Sequence, residues 1–141
     1  MTLDRLFLSL HVFGAFIWVG GLFALAAFLD AFAAETDAAA RSRLLKFLRQ
    51  AAIVPDIGAT IAIIFGVYWL VQFKVYKMPY MHIKLTLVAV LIGMHGYLKV
   101  KAKKARKSEA FTAPPIASKV LIGLVALGII TFVVSKWPLP S

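Results

Sequence analysis

The sequence predicts an all-α, integral-membrane four-helix bundle, and three observations carry that expectation. Apolar residues make up 62% of the 141 positions, and mean hydropathy is +0.88. Soluble domains run nearer half apolar. Four apolar stretches, 6–29, 53–73, 80–98 and 120–137, each approach the roughly 20 residues needed to cross hydrocarbon. They take up nearly the whole chain, so 1–141 reads as a single transmembrane domain.

The expected helices run 5–30, 53–73, 79–99 and 118–137, with a surface helix over 36–51. The first starts after Asp4 and Arg5 and ends at Asp30. Ala31-Phe32-Ala33 resembles a cleavage site. The run before it, however, exceeds the roughly 7–15 apolar residues of a signal peptide. It also carries His11 and Trp18, so it is read as a retained helix. Next, Leu44, Leu45, Phe47 and Leu48 interleave with Arg41, Arg43, Lys46 and Arg49. That pattern suits a helix lying on the cytoplasmic surface, or an extension of the second span.

Pro55 and Asp56 open the second span, where a first-turn proline and a carboxylate are both favourable. Gly58, Ala62 and Gly66 recur every fourth residue and permit close helix contact. The short turn at 74–78 makes spans two and three antiparallel neighbours, and Pro79 opens the third. Residues 99–115 form a basic loop closed by Pro114 and Pro115. The fourth span holds Gly123, Gly128, Thr131 and Ser135, and Pro138 and Pro140 stop it.

The net charge of +10 is placed unevenly. Arg41, Arg43, Lys46 and Arg49 follow the first span. Lys99, Lys101, Lys103, Lys104, Arg106, Lys107 and Lys119 follow the third. The other side has Arg5, Lys74, Lys77 and Lys136. The positive-inside rule predicts a multi-pass protein of a bacterial inner membrane with both termini outside the cytoplasm. The basic run would meet anionic membrane lipid. Nucleic acid is not the expected partner, because no aromatic residues are interleaved for base stacking. The absence of cysteine excludes disulfides, thiolate zinc sites, cysteine-ligated iron–sulfur clusters and covalently attached haem.

Most catalytic patterns are missing: no glycine-rich phosphate loop, no paired carboxylates, no nucleophile with a base, no zinc helix. Asp56 stands alone near the cytoplasmic side, whereas a proton-coupled transporter would place more acids within its spans. What remains is His11, His82 and His95, each inside or at the end of an apolar run. A lipid-facing imidazole is costly, so each needs a partner or a ligand.

Helical spacing puts His11, Gly14, Trp18, Gly21 and Leu25 on one stripe, a shallow groove for a partner helix or a flat ring. On the third span His82, Thr86, Ala89, Gly93 and Gly96 form a small-residue stripe, expected to face the bundle. Lys84, Val88, Leu91 and His95 form another. His11 lies ~7 Å and His82 ~3 Å below the same boundary, at 1.5 Å per residue. They are expected to clasp one metal, as ligands of an iron porphyrin. His95 lies ~20 Å further on and cannot share that site. It reads as a boundary residue, or as a second ligand completed by Met94 or by a homodimer contact. Lys84 either snorkels to the surface or meets a carboxylate such as a porphyrin propionate. Trp69 and Trp137 are expected interface anchors, while Trp18 lies too deep for that role.

These motifs carry a family resemblance. LHVFGAFIWVGGLF at 10–23 resembles the first helix of CopD-like membrane proteins and of HemJ-type protoporphyrinogen oxidases. PYMHIKLTLVAVLIGMHGYL at 79–98 is similar to the HemJ pattern of His-x-Lys-Leu followed by a later histidine, and PDIGATIAIIFGVYWL at 55–70 also fits. The resemblance implies a four-helix protein that binds haem b and oxidises protoporphyrinogen IX in porphyrin biosynthesis. His11, His82, Lys84 and His95 would be its polar residues. One stretch departs: the family's Leu-Pro-Arg-like continuation of helix one is Ala24-Leu25-Ala26-Ala27-Phe28-Leu29 here. Haem binding is therefore the part of the resemblance that the shared residues imply.

The leading expectation is a b-type haem between spans one and three. His11 and His82 would ligate iron, Lys84 would meet a propionate, and Gly14 and Trp18 would flank the ring. The protein would act as an oxidoreductase in electron transfer, with porphyrin or quinone as partners. The alternatives are CopD-like copper handling through Met78, Met81 and His82, or a haemless structural subunit.

Overall fold

The structure, a computed structural model, describes residues 2–107 and 112–135. Five α-helices follow in order: α1 (Leu3–Ala34), α2 (Ala38–Ala51), α3 (Val54–Gln72), α4 (Pro79–Arg106) and α5 (Ile116–Ser135). A short 3₁₀ turn at Val75–Lys77 joins α3 to α4, and no strand occurs among the described residues. α1, the α2–α3 pair and α4 are each long and apolar enough to cross a membrane, and α5 is apolar over Ile116–Phe132. Lys136, Trp137, Pro138 and Pro140 lie outside the described residues.

α1 runs past Asp30 to Ala34. Its last carbonyls are not left open. The Arg41 guanidinium donates to the Phe32 and Glu35 carbonyls at 3.0 and 2.8 Å, and it lies 4.3 Å from the Phe32 ring centroid. Helix ends need such partners. Asp37 caps α2 by accepting the Ala40 N–H at 2.8 Å.

The segment over 36–51 is helical and, of the two expected placements, matches the extension of the second apolar stretch. Ala52 and Ile53 stay in the right-handed helical region, so α2 almost continues into α3. Pro55 makes the break, because it has no N–H for the Ala51 carbonyl and its ring crowds that group. α2 buries Leu48 and Ala51, stacks Phe47 on Phe28 at 6.3 Å, and leaves Arg43, Lys46 and Arg49 exposed.

α1 and α3 form the most extensive helix pair. They pack antiparallel with backbones almost touching. A Cβ added at Gly58 would lie 2.3 Å from the Trp18 backbone nitrogen. One at Gly14 would lie 2.6 Å from the Ala62 nitrogen, and one at Gly21 2.8 Å from the Pro55 nitrogen. The groove on α1 is therefore filled by α3. Gly14 serves helix contact and leaves no room there for a flat ring.

α3 and α4 run antiparallel, as the short turn requires, but α4 packs chiefly on α5 and on α1. Lys74, at φ 51°, ends α3 in the left-handed region. The face that α4 turns inward corrects the sequence expectation. Met81, Leu91, Leu98, Ala102 and Ala105 are buried, while His82, Thr86, Ala89, Gly93 and Gly96 are all exposed. Added Cβ atoms at Gly93 and Gly96 would meet nothing within 4 Å. Met81, Leu91 and Leu98, at heptad-like spacing, fill the inner face of α4, and the small-residue stripe turns outward. Packing of Ala102 and Ala105 also carries α4 on to Arg106, where Lys103, Lys104 and Arg106 suit a helix C-terminus.

Burial is uneven along the bundle. Leu22, Leu25, Leu29, Leu48, Leu98 and Ile122 are each 0% exposed. All lie in the half nearer the basic segments. There Lys119 of α5 also ion-pairs with Asp30 of α1. The half nearer Leu3 and Ser135 is more loosely filled, and the main cavity lies in it.

Candidate functional site

The cavity measures about 770 Å³ and is bounded by α1, α3, α4 and α5. Cofactor and ligand sites usually fall between roughly 300 and 1,000 Å³. Its wall is apolar apart from a few groups, chiefly His11, Trp69, Tyr80 and Lys84. The Trp69 indole N–H is buried without a hydrogen-bond partner. Trp69, in the last turn of α3, lines the cavity as well.

His11 is held by α3. Its Nδ1–H donates to the Ala62 carbonyl at 2.7 Å. A carbonyl can only accept, so this bond fixes the proton on Nδ1 and leaves the Nε2 lone pair free. Gly66 makes the contact possible, since a Cβ there would lie 2.9 Å from the ring's Cε1. Among the described residues Nε2 makes no hydrogen bond, and His11 lines the cavity. Backbone-anchored imidazoles of this kind are common metal ligands, because the anchor sets both tautomer and orientation.

Lys84 lines the same cavity and forms no ion pair among the described residues. It does not reach a carboxylate among the described residues. His82 is placed differently: it is exposed and absent from the cavity wall. The expected clasp of His11 and His82 is not formed within one chain. α4 presents Met81 and Lys84 to the cavity instead. Met78 and His82 are exposed while Met81 is buried, so those residues do not converge either. No group of three His, Asp or Glu side chains poised for a metal occurs among the described residues.

A second polar cluster sits towards the basic end. The Trp18 indole N–H donates to His95 Nδ1 at 3.0 Å. Indole only donates, so Nδ1 is the acceptor and Nε2 carries the proton. His95 Nε2–H then donates to Asp56 Oδ1 at 2.7 Å. The Lys99 ammonium donates to Asp56 Oδ2 at 2.6 Å and to the Ala52 carbonyl at 2.7 Å. Asp56 is thus not alone: it joins α3 to α4 through two partners. Both His95 nitrogens are engaged, and ligating a metal would break one of these bonds.

Sequence reading treated each of these residues separately. The available signal was level: antiparallel helices bring the first turn of one beside the late turns of the other. An acid there points to the base opposite. Asp56→Ala would leave the His95 Nε2–H without an acceptor and Lys99 with the Ala52 carbonyl alone. The Asp56 side chain is 45% exposed, which weakens the pair by solvent screening. The expected loss is about 1–2 kcal/mol of stability, read by denaturant titration with circular dichroism in detergent. An unchanged midpoint would show the cluster to be structurally idle.

A smaller cleft beside Asp56 and His95 shares Trp18, Ile63 and Ile92 with the main cavity, and Trp18 is 3% exposed. No protein-family model, curated protein or solved structure matches this chain.

Proposed function

We propose that the chain is a four-span membrane protein that binds one b-type haem in the cavity beside His11. The carrying observation is the His11 imidazole, with Nδ1–H tied to the Ala62 carbonyl and Nε2 left open at an apolar cavity of about 770 Å³. Three further features fit that occupant. Lys84 supplies a cation with no carboxylate partner among the described residues, suited to a propionate. The Trp69 side chain adds an aromatic wall. The remaining wall is apolar, as a porphyrin face requires.

His11 Nε2 would hold the haem iron, Lys84 would meet a propionate, and Trp18 would line the wall. Haem would supply one-electron chemistry, while the chain sets ligation and dielectric. His82, exposed, is not part of this reading. By the positive-inside rule the basic end would face the cytoplasm and the haem would lie in the outer half. The resemblance to HemJ-type proteins extends the proposal to protoporphyrinogen IX as substrate.

The test is a reduced-minus-oxidised spectrum of protein purified in detergent. Wild type and His82→Ala are expected to show b-type bands. His11→Ala should fall to background, and Lys84→Met should lose part of the haem. Colourless wild-type protein would defeat the proposal, and bound copper in its place would favour the CopD-like reading.

A further inference from the structure

At the end of the bundle that holds α2 and the last turns of α4, the described residues supply eleven cations and four acids, so most of the positive charge there has no acid to meet. The four acids are also engaged. Asp30 pairs with Lys119, and Asp56 with Lys99 and His95. Glu35 accepts the Thr36 and Asp37 backbone N–H groups at 3.0 and 2.9 Å, and Asp37 caps α2. Arg43, Lys46 and Arg49 on α2 and Lys103, Lys104 and Lys107 at the end of α4 are exposed. None of the six has an acidic partner among the described residues. α4 stays helical to Arg106, so its lysines are mounted on a helix and not on the loop that the sequence suggested.

α2 packs on α4 as well as on α1, which holds two like-charged helices together. α2 has 14 residues and buries Leu48 and Ala51. Helices of about 12–15 residues are marginal by themselves, and self-repulsion loosens a compact state. A counter-charge from outside the chain would relieve that repulsion.

Depth identifies the counter-charge. The apolar run of α1 opens at Leu6. Hydrocarbon ~30 Å thick takes about 20 helical residues, which sets the inner boundary near Ala26. Phe28, just beyond it, stacks on Phe47 of α2, and Arg41 reaches the Phe32 and Glu35 carbonyls. The α2 cations therefore lie within ~10 Å of the boundary. Lys99 meets the Ala52 carbonyl, and Lys103, Lys104 and Lys107 follow it by ~6–12 Å into the same layer. That layer holds phospholipid head groups. A soluble acidic protein would have to displace them to reach the cations. The exposed side chains of Phe47, Ile53 and Val100 offer acyl chains an apolar wall beside the charges.

We propose that the surface formed by α2 and the end of α4 binds the phosphate heads of anionic phospholipids, and that this lipid is the counter-charge that keeps α2 packed on α4. The proposal rests on the spanning arrangement and not on haem, since none of the six cations lines the main cavity.

The test uses the full chain in phosphatidylcholine nanodiscs doped with spin-labelled lipid. Labelled phosphatidylglycerol is expected to associate about fivefold more strongly than labelled phosphatidylcholine at low salt, and the preference should shrink at high salt. Combining Arg43→Gln, Lys46→Gln and Arg49→Gln should lower it to about twofold, as should Lys103→Gln, Lys104→Gln and Lys107→Gln together. Arg43→Lys with Arg49→Lys should keep it. Hydrogen exchange of the α2 amides should slow about tenfold when phosphatidylglycerol replaces part of the phosphatidylcholine. Equal association of the two lipids, or glutamine variants as selective as wild type, would overturn the lipid site. Exchange in α2 that ignores phosphatidylglycerol would overturn the counter-charge role. Displacement of the labelled lipid by inorganic phosphate or by polyglutamate would overturn it too, giving the surface to a soluble anion or an acidic protein. His11→Ala protein should give the same lipid preference as wild type. Colourless wild type with that preference intact sinks only the haem assignment, and haem without the preference sinks only the lipid site.

Discussion

Gly58→Leu is expected to abolish the folded bundle. A Cβ at this position would lie 2.3 Å from the Trp18 nitrogen and 2.7 Å from its Cα. Both are backbone atoms, so no rotamer change relieves the clash. The α1–α3 pair must separate, and it is the largest helix interface in the molecule. Even Gly58→Ala should cost about 1–3 kcal/mol by overpacking, despite a helix-propensity gain of up to ~1 kcal/mol. Gly93→Ala, where an added Cβ meets nothing within 4 Å, keeps that gain and should be neutral or stabilising. Unfolding in detergent, followed by circular dichroism, orders the three. Equal midpoints for Gly58→Ala and Gly93→Ala would refute backbone contact between α1 and α3.

Trp18→Ala should be the most damaging truncation. Trp18 is 3% exposed and, with Ile63 and Ile92, lines both the main cavity and the smaller cleft beside Asp56 and His95. Emptying its place should cost about 3–5 kcal/mol and enlarge both. Trp18→Phe isolates the polar part of that loss. It keeps an aromatic ring but leaves His95 Nδ1 without a donor, at a cost of about 1–3 kcal/mol. A double-mutant cycle with His95→Leu checks the assignment. Residues that share a hydrogen bond are non-additive, so the pair should cost less than the sum of the single changes. Strict additivity would mean that the indole–imidazole bond contributes nothing to stability.

Sequence reading located His11 and Lys84, because polar groups stand out in apolar runs and depth follows from residue count. It misjudged the rotation of α4. Small residues often mark the packed face of a membrane helix, and the stripe through Gly93 and Gly96 fitted that rule. The other stripe, Met81–Lys84–Val88–Leu91–His95, faces the bundle instead. Which stripe turns inward depends on how far away the neighbouring helices stand, and no single helix encodes that distance. On α1 and α3, where backbones touch, the same rule succeeded.

The sequence by itself determined the helical architecture, the spans' approximate limits and the imbalance of charge between the two ends. Those properties follow from local hydropathy, proline placement and residue counts, and each can be read one segment at a time. Only the tertiary structure decided that His11 faces a cavity while His82 does not, and that Asp56, His95, Lys99 and Trp18 form one connected cluster. Both outcomes depend on helix rotation and inter-axial distance. Those are set by the fit of several side-chain surfaces at once, a property that no one segment carries.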